Sequence, residues 1–188
     1  MKHGSLLLIG HHFFTVFVKR KAKTSNGWER GVLIIGMNLK GKRALVTGGA
    51  VRIGKAITEA LQAAGCEVVV HYRNSATQAA ALSDHIIQAD LESPEACASL
   101  IHKAGEQFGP LDILINNASI FTKDALLSAT PERVLREFQI NLFAPMELTR
   151  AFAAQTDQGA IVNLLDRRVR CNDTSCTPIP SRKKGWKN

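Results

Sequence analysis

The residues Thr47-Gly48-Gly49-Ala50-Val51-Arg52-Ile53-Gly54 stand between an apolar run, Ala44-Leu45-Val46, and Lys55-Ala56-Ile57-Thr58-Glu59-Ala60-Leu61, which reads as a helix. A strand feeding a glycine turn that feeds a helix constrains this chain more than any other feature, because α/β proteins build phosphate sites that way. Gly48 permits the sharp turn, glycine at 49 lets backbone approach a pyrophosphate, and Gly54 lets the helix pack closely on the strand. The helix N-terminus then offers free N–H groups and a partial positive charge. Glycine spacing alone is weak evidence; its place between strand and helix makes a nucleotide site the expectation over an ordinary βα turn.

The rest of the chain alternates in the same sense. Strands are expected at 43–47, at 67–71 around Val68-Val69-Val70, at 86–89, at 111–116 and at 160–165. Between them helices are expected over 52–64 (ended by Gly65), over 75–85, and from Ser93-Pro94-Glu95 to about Phe108, where Gly109-Pro110 breaks the helix. Thr130-Pro131-Glu132 opens another helix toward Asn141, and Pro145 starts one more. Strands alternating with helices of this length predict an α/β fold with a doubly wound, Rossmann-like parallel sheet. There is no internal repeat.

A net charge of +8 suggests a nucleic-acid binder until the charges are placed. Residues 1–43 carry nine Lys/Arg against Glu29 alone, and residues 167–188 carry seven against Asp173 alone. The stretch 44–166 holds eight basic and fourteen acidic residues, a net of −6. With the positive charge confined to the ends and no basic stripe with interleaved aromatics, nucleic acid is not the expected partner. Residues 1–36 form an atypical extension: Leu6–Val18 is apolar, interrupted by His11 and His12, and is followed by Lys19-Arg20-Lys21. That run is short for a membrane span and has the reverse of a secretory signal's charge order, so neither is expected. His3, His11 and His12 are not expected to bind metal. Met37 is a second candidate start, and 37–188 the nucleotide-binding domain. The four cysteines (66, 97, 171, 176) lack metal-ligand or redox spacing, which points to a reducing, cytoplasmic setting.

The segment after the second strand, His71-Tyr72-Arg73-Asn74-Ser75, bears on the kind of nucleotide. An NAD site usually offers a carboxylate there to the ribose hydroxyls, and this chain has none. Arg73 can pair with a 2′-phosphate and Ser75 can hydrogen-bond it, so NADP(H) is the expected cofactor.

The glycine turn, Asp90-Leu91, Asn116-Asn117-Ala118, Asn141 and Ile161-Val162-Asn163 stand in an order and spacing that resembles the short-chain dehydrogenase/reductases over about residues 39–185. Arg52 and Ser119 occupy positions where most members have glycine, and Asp166 stands where serine is usual. These departures resemble the pteridine reductase branch. The resemblance implies that Gly48, Arg52, Ile53 and Gly54 line the cofactor pyrophosphate, that Asp90 and Leu91 meet the adenine, and that Asn117 and Ala118 meet the adjoining ribose. Asn117 has a compatible second reading, in which its side chain knits the sheet. Asn141 is implied to hold a water near the catalytic lysine, Lys183 to sit at the cofactor (a solvated charge in a basic tail is its other reading), and Asp166 to orient a pterin-like carbonyl or imine substrate. A homo-oligomer is implied for the intact family.

The resemblance also carries its own difficulty. A tyrosine with a lysine four residues on is the family's proton donor, a phenol whose pKa the lysine lowers. Counting from Asp166 puts Ile179 at the tyrosine position and Lys183 at the lysine. Tyr72 is the one tyrosine in the sequence. The family continues with a long helix and two further strands, whereas this sequence ends at Asn188. The expectation is a C-terminally truncated NADPH-dependent reductase of impaired chemistry, by frameshift or a shortened gene, with its fifth strand an exposed edge. A non-catalytic NADP(H)-binding module and a non-functional fragment are the alternatives.

Overall fold

Alternating side chains of the strands are apolar in both directions, and a parallel sheet covered on both faces is what such strands require. The computed structural model describes residues 39–121 and 129–165 and contains that sheet. Its strands are β1 (Arg43–Val46), β2 (Glu67–Tyr72), β3 (Ile86–Gln88), β4 (Ile113–Asn116) and β5 (Ala160–Asn163). The order is β3-β2-β1-β4-β5 and every pairing is parallel, the Rossmann-like arrangement.

Register sorts the core into two layers. Leu45 pairs with Val69 on one side and Leu114 on the other, and Leu114 pairs with Ile161. All four face a cluster completed by Leu100, Ile101, Leu148 and Phe152. These come from α3 (Pro94–Phe108) and α5 (Ala144–Gln155). The intervening residues Val46, Val70 and Ile115 face the opposite cluster, with Ile57 of α1 (Arg52–Ala63) and Ala79 of α2 (Ala76–Ala80). β5 is an edge strand among the described residues, with its termini Ala160 and Asn163 exposed.

Two helices differ from the sequence expectation. α2 spans Ala76–Ala80 rather than 75–85. Ser83 ends it, because the Ser83 hydroxyl donates to Val68 O at 2.8 Å and accepts from His85 N at 3.0 Å, which turns the chain into β3. The expected break before Pro145 is absent. α4 (Pro131–Phe138) runs through a π-helical turn, Gln139–Phe143, directly into α5. Widening the turn there lets a proline, which has no N–H to give, sit in the first turn of α5. By contrast α3 has the expected limits, with the Ser93 hydroxyl accepting from Ala96 N at 3.1 Å and Pro94 in its first turn. No helix among the described residues is long and apolar enough to cross a membrane.

Candidate functional site

Because all strands run the same way, the segments that leave β1, β2, β3 and β4 emerge at one edge of the sheet. The order changes direction between β1 and β4, which opens a crevice at that edge. The expected residues from Gly48 to Ala118 fall on these segments.

Gly48 has a φ of +60°, so the turn after β1 needs the conformation that glycine adopts without strain. Its N–H donates to His71 Nδ1 at 3.0 Å. The next amide, Gly49 N, donates to His71 O at 3.0 Å. Gly49 is closely packed as well. Its amide is occupied, and a Cβ there would meet Thr58 Oγ1 and Val46 O at 3.0 Å, so its small size serves helix–strand packing. Gly54 matches its expected role: a Cβ would lie 2.0 Å from Gly48 O and 2.7 Å from Asn117 Nδ2.

α1 starts after Val51 with no side-chain cap, and the amides of Arg52, Ile53 and Gly54 have no partner among the described residues. Arg52 is exposed and holds a φ of +53°, the one non-glycine residue with positive φ among those described. The backbone explains why glycine suits this position. Three such amides at a helix start, on a segment that carries an exposed arginine, form a donor set suited to an anion.

His71 was missed by sequence reasoning. It is buried at the end of β2, accepting from Gly48 N and donating from Nε2 to Ala89 O at 3.1 Å. These partners require the neutral ring with its proton on Nε2. Burial, opposed weakly by the Ala89 carbonyl and Asp90, pushes its pKa down to about 4. An ionisable residue following Val68-Val69-Val70 in a strand buried on both faces is the signal that could have found it.

The β4 end locks onto the same turn. Thr47 Oγ1 accepts from Asn117 N and Ala118 N, each at 3.0 Å, and donates to Ile115 O at 3.2 Å. Asn117 Nδ2 donates to Thr47 O at 2.8 Å and Gly48 O at 3.1 Å, so its side chain does knit the sheet to the turn. Asn116 Nδ2 donates to Asn163 Oδ1 of β5 at 2.8 Å. Asn141, in the π-helical turn, accepts from Ile120 N and donates to Ile120 O, both at 2.9 Å. Its side chain is thereby committed to the segment that follows β4.

At the other side of the crevice, Arg73 Nε lies 3.1 Å from Asp90 Oδ2 and its Nη1 3.4 Å from Glu92 Oε1. The structure thus brings Arg73 and Asp90 into contact, and adds Glu92 and Arg136, an ion pair that sequence reasoning did not single out. Asn74 is exposed and Ser75 half-buried, and the Ser75 side chain makes no cap bond to α2. Leu91 is buried in the core, so a role beside a base falls to its main chain. Asp166 and Lys183, like the extension 1–36, lie outside the described residues.

Away from this edge, an open cavity of about 450 Å³ is lined by His102, Gly105, Glu106, Asp112, Gln155 and Thr156. Its acids are engaged, Glu106 with His102 and Asp112 with Lys42. Among the described residues no group of three or more His, Cys, Asp or Glu could hold a metal. Cys66 and Cys97 are free and buried, and burial pushes both thiols up to about 11.

The short chain dehydrogenase family model matches residues 42–165. An uncharacterised oxidoreductase of Methylorubrum extorquens is 34% identical over 136 residues, covering 67% of this chain and 55% of the relative. Versicolorin reductase stcU of Emericella nidulans is 41% identical over 112 residues, covering 55% of this chain and 42% of that protein. The chain spans about half the length of the curated relatives it matches. Among solved structures, a short chain dehydrogenase from Burkholderia cenocepacia in complex with NADP superposes with a TM-score of 0.75 at 34% identity, covering 80% of this chain and 67% of that one. FolM, alternative dihydrofolate reductase 1, from Brucella canis, complexed with NADP, superposes with a TM-score of 0.72 at 30% identity, covering 78% and 63%.

Proposed function

Because the chain belongs to the short-chain dehydrogenase family, we propose that residues 39–165 form the cofactor-holding part of an NADP(H)-dependent oxidoreductase. The observation that carries this reading is the shared edge: amides of Arg52, Ile53 and Gly54 with no partner among the described residues, at a helix start where Arg52 is exposed, with Arg73 at the neighbouring strand end. These donors fit a pyrophosphate and a second phosphate, and no carboxylate stands in the 71–75 segment to select ribose hydroxyls. Solved relatives complexed with NADP support the same cofactor.

Bound NADPH supplies a hydride for the reduction of a carbonyl or imine carbon. The chain's own residues then divide the work. The α1 amides and Arg52 hold the pyrophosphate; Arg73, Asn74 and Ser75 hold the 2′-phosphate; Asp90 and the Leu91 main chain face the adenine. Asn117 and Ala118, fixed by Thr47, border the ribose, and Asn141 steadies the segment after β4 on which substrate would rest. Asp166 is assigned to the substrate and Lys183 to the nicotinamide ribose by the family resemblance, both lying outside the described residues. Likeness to FolM, together with Arg52 and Asp166, supports a pterin-like substrate.

A second reading, a module that binds NADP(H) without turning it over, is favoured by one observation. Tyr72, the one tyrosine in the sequence, ends β2 and packs against the core cluster on the α1 face. Isoleucine at 179 cannot donate a proton. The test has two arms: NADPH binding by calorimetry, and NADPH oxidation in the presence of dihydrobiopterin or a reactive quinone. Binding with reduction that Asp166→Ala abolishes supports the reductase; binding without reduction supports the module; no binding defeats both.

A further inference from the structure

We propose that Glu92 is a specificity-determining residue that competes with the cofactor's 2′-phosphate for Arg73 and Arg136. This rests on the reading of Arg73 as the 2′-phosphate anchor.

Four charged side chains from three segments meet at this corner. Arg73 follows β2, Asp90 and Glu92 follow β3, and Arg136 projects from α4. Asp90 is pinned at both oxygens, Oδ1 accepting from Glu92 N at 3.0 Å and Oδ2 paired with Arg73 Nε at 3.1 Å. Glu92 is held differently: one oxygen, Oε1, serves both Arg73 Nη1 at 3.4 Å and Arg136 Nε. Two guanidinium groups and two carboxylates sum to zero, so an arriving phosphate dianion meets cations that are already neutralised.

Which carboxylate yields follows from their tethers. Asp90 is fastened by a backbone amide, whereas the longer Glu92 side chain is fastened, among the described residues, through its ion pairs alone. Those pairs are open to water, with side-chain exposures of 41% for Arg73, 30% for Glu92 and 48% for Arg136. Exposed pairs of this kind contribute little and exchange readily. When Glu92 turns away, Arg73 Nη1 and Arg136 Nε are released to the same phosphate, while Arg73 Nε stays paired with Asp90. Arg136 thereby becomes a second 2′-phosphate cation, although it lies some sixty residues along the chain from Arg73 (positions 73 and 136). Glu92 remains nearby as a like charge, and it weakens the selection of NADPH over NADH.

The experiment measures dissociation constants for NADPH and NADH by calorimetry on the full chain, for the wild type, Glu92→Gln, Arg73→Met and Glu92→Gln/Arg136→Met. Glu92→Gln is expected to raise the preference for NADPH over NADH by about 3- to 10-fold at low salt, and less at high salt. Adding Arg136→Met is expected to cancel most of that gain. If Arg73→Met lowers the preference while Glu92→Gln leaves it unchanged or reduces it, Glu92 positions Arg73 and the competition is refuted. If Arg73→Met leaves the preference unchanged, Arg73 is not the anchor, and both that reading and this inference fall together.

Discussion

The backbone amide of Gly48 donates to His71 Nδ1 at 3.0 Å, so a side chain of β2 holds the turn that follows β1. The other ring nitrogen donates to Ala89 O, extending the tie to the end of β3. A doubly protonated ring has no acceptor left for Gly48, and acid therefore works against the turn. The His71 pKa falls from 6.5 to about 4 on folding. The unfolded chain thus takes up the proton first, and the stability tied to the neutral ring is complete above pH 6.5 and lost as pH falls toward 4. The loss amounts to about 3 kcal/mol. Urea unfolding at steps between pH 7 and 4 checks this. His71→Leu is expected to start about 2 kcal/mol lower, with Gly48 N and Ala89 O left unpaired, and to lose this part of the pH dependence.

Gly54→Ala places a methyl group 2.0 Å from Gly48 O. Backbone must move to admit it, and α1 is pushed off the turn. A loss of about 3 kcal/mol or more is expected, with NADPH binding lost as well. Thermal melts with and without NADPH measure both, and a stable protein that still gains melting temperature with NADPH contradicts the packing argument.

Arg52→Gly separates backbone from side chain. Relief of the positive φ of +53° offsets the greater freedom of an unfolded glycine, so stability is expected to hold or to rise by up to about 1 kcal/mol. Cofactor affinity is expected to fall because the cation at the α1 start is gone. Denaturant midpoints and NADPH titrations on one preparation distinguish these effects.

The five strands were legible because their residues are apolar in both directions, a pattern with few other homes than a covered parallel sheet. Ser93-Pro94 and Gly109-Pro110 marked the ends of α3 through local chemistry alone. The limits of α2 were not legible, since they depend on Ser83 reaching Val68 O on another element. Pro145 signalled a helix start, whereas a π-helical turn carries the helix through. The site was legible as a set of strand ends, because parallel strands bring those ends to one edge. Where hydrogen bonds go was not. The Gly49 amide is spent on His71 O, and Arg73 is shared between Asp90 and Glu92, pairings set by register rather than by local sequence.

Asn141→Ala removes two 2.9 Å bonds to Ile120, leaving that residue's N–H and C=O to find water. A loss of about 2 kcal/mol is expected. Amide exchange at Ile120 is expected to quicken well before exchange in β4. Equal acceleration throughout the sheet would show that Asn141 supports the whole fold and not this segment in particular.

Titrating the full chain with NADPH and with NADH in the calorimeter decides whether the edge bearing Gly48, Arg52 and Arg73 holds NADP(H). Saturable binding of NADPH is expected, one molecule per chain, tighter than NADH by roughly fivefold or more, with Arg73→Met reducing the difference. Absence of saturable binding, or NADH bound as tightly as NADPH, would contradict it.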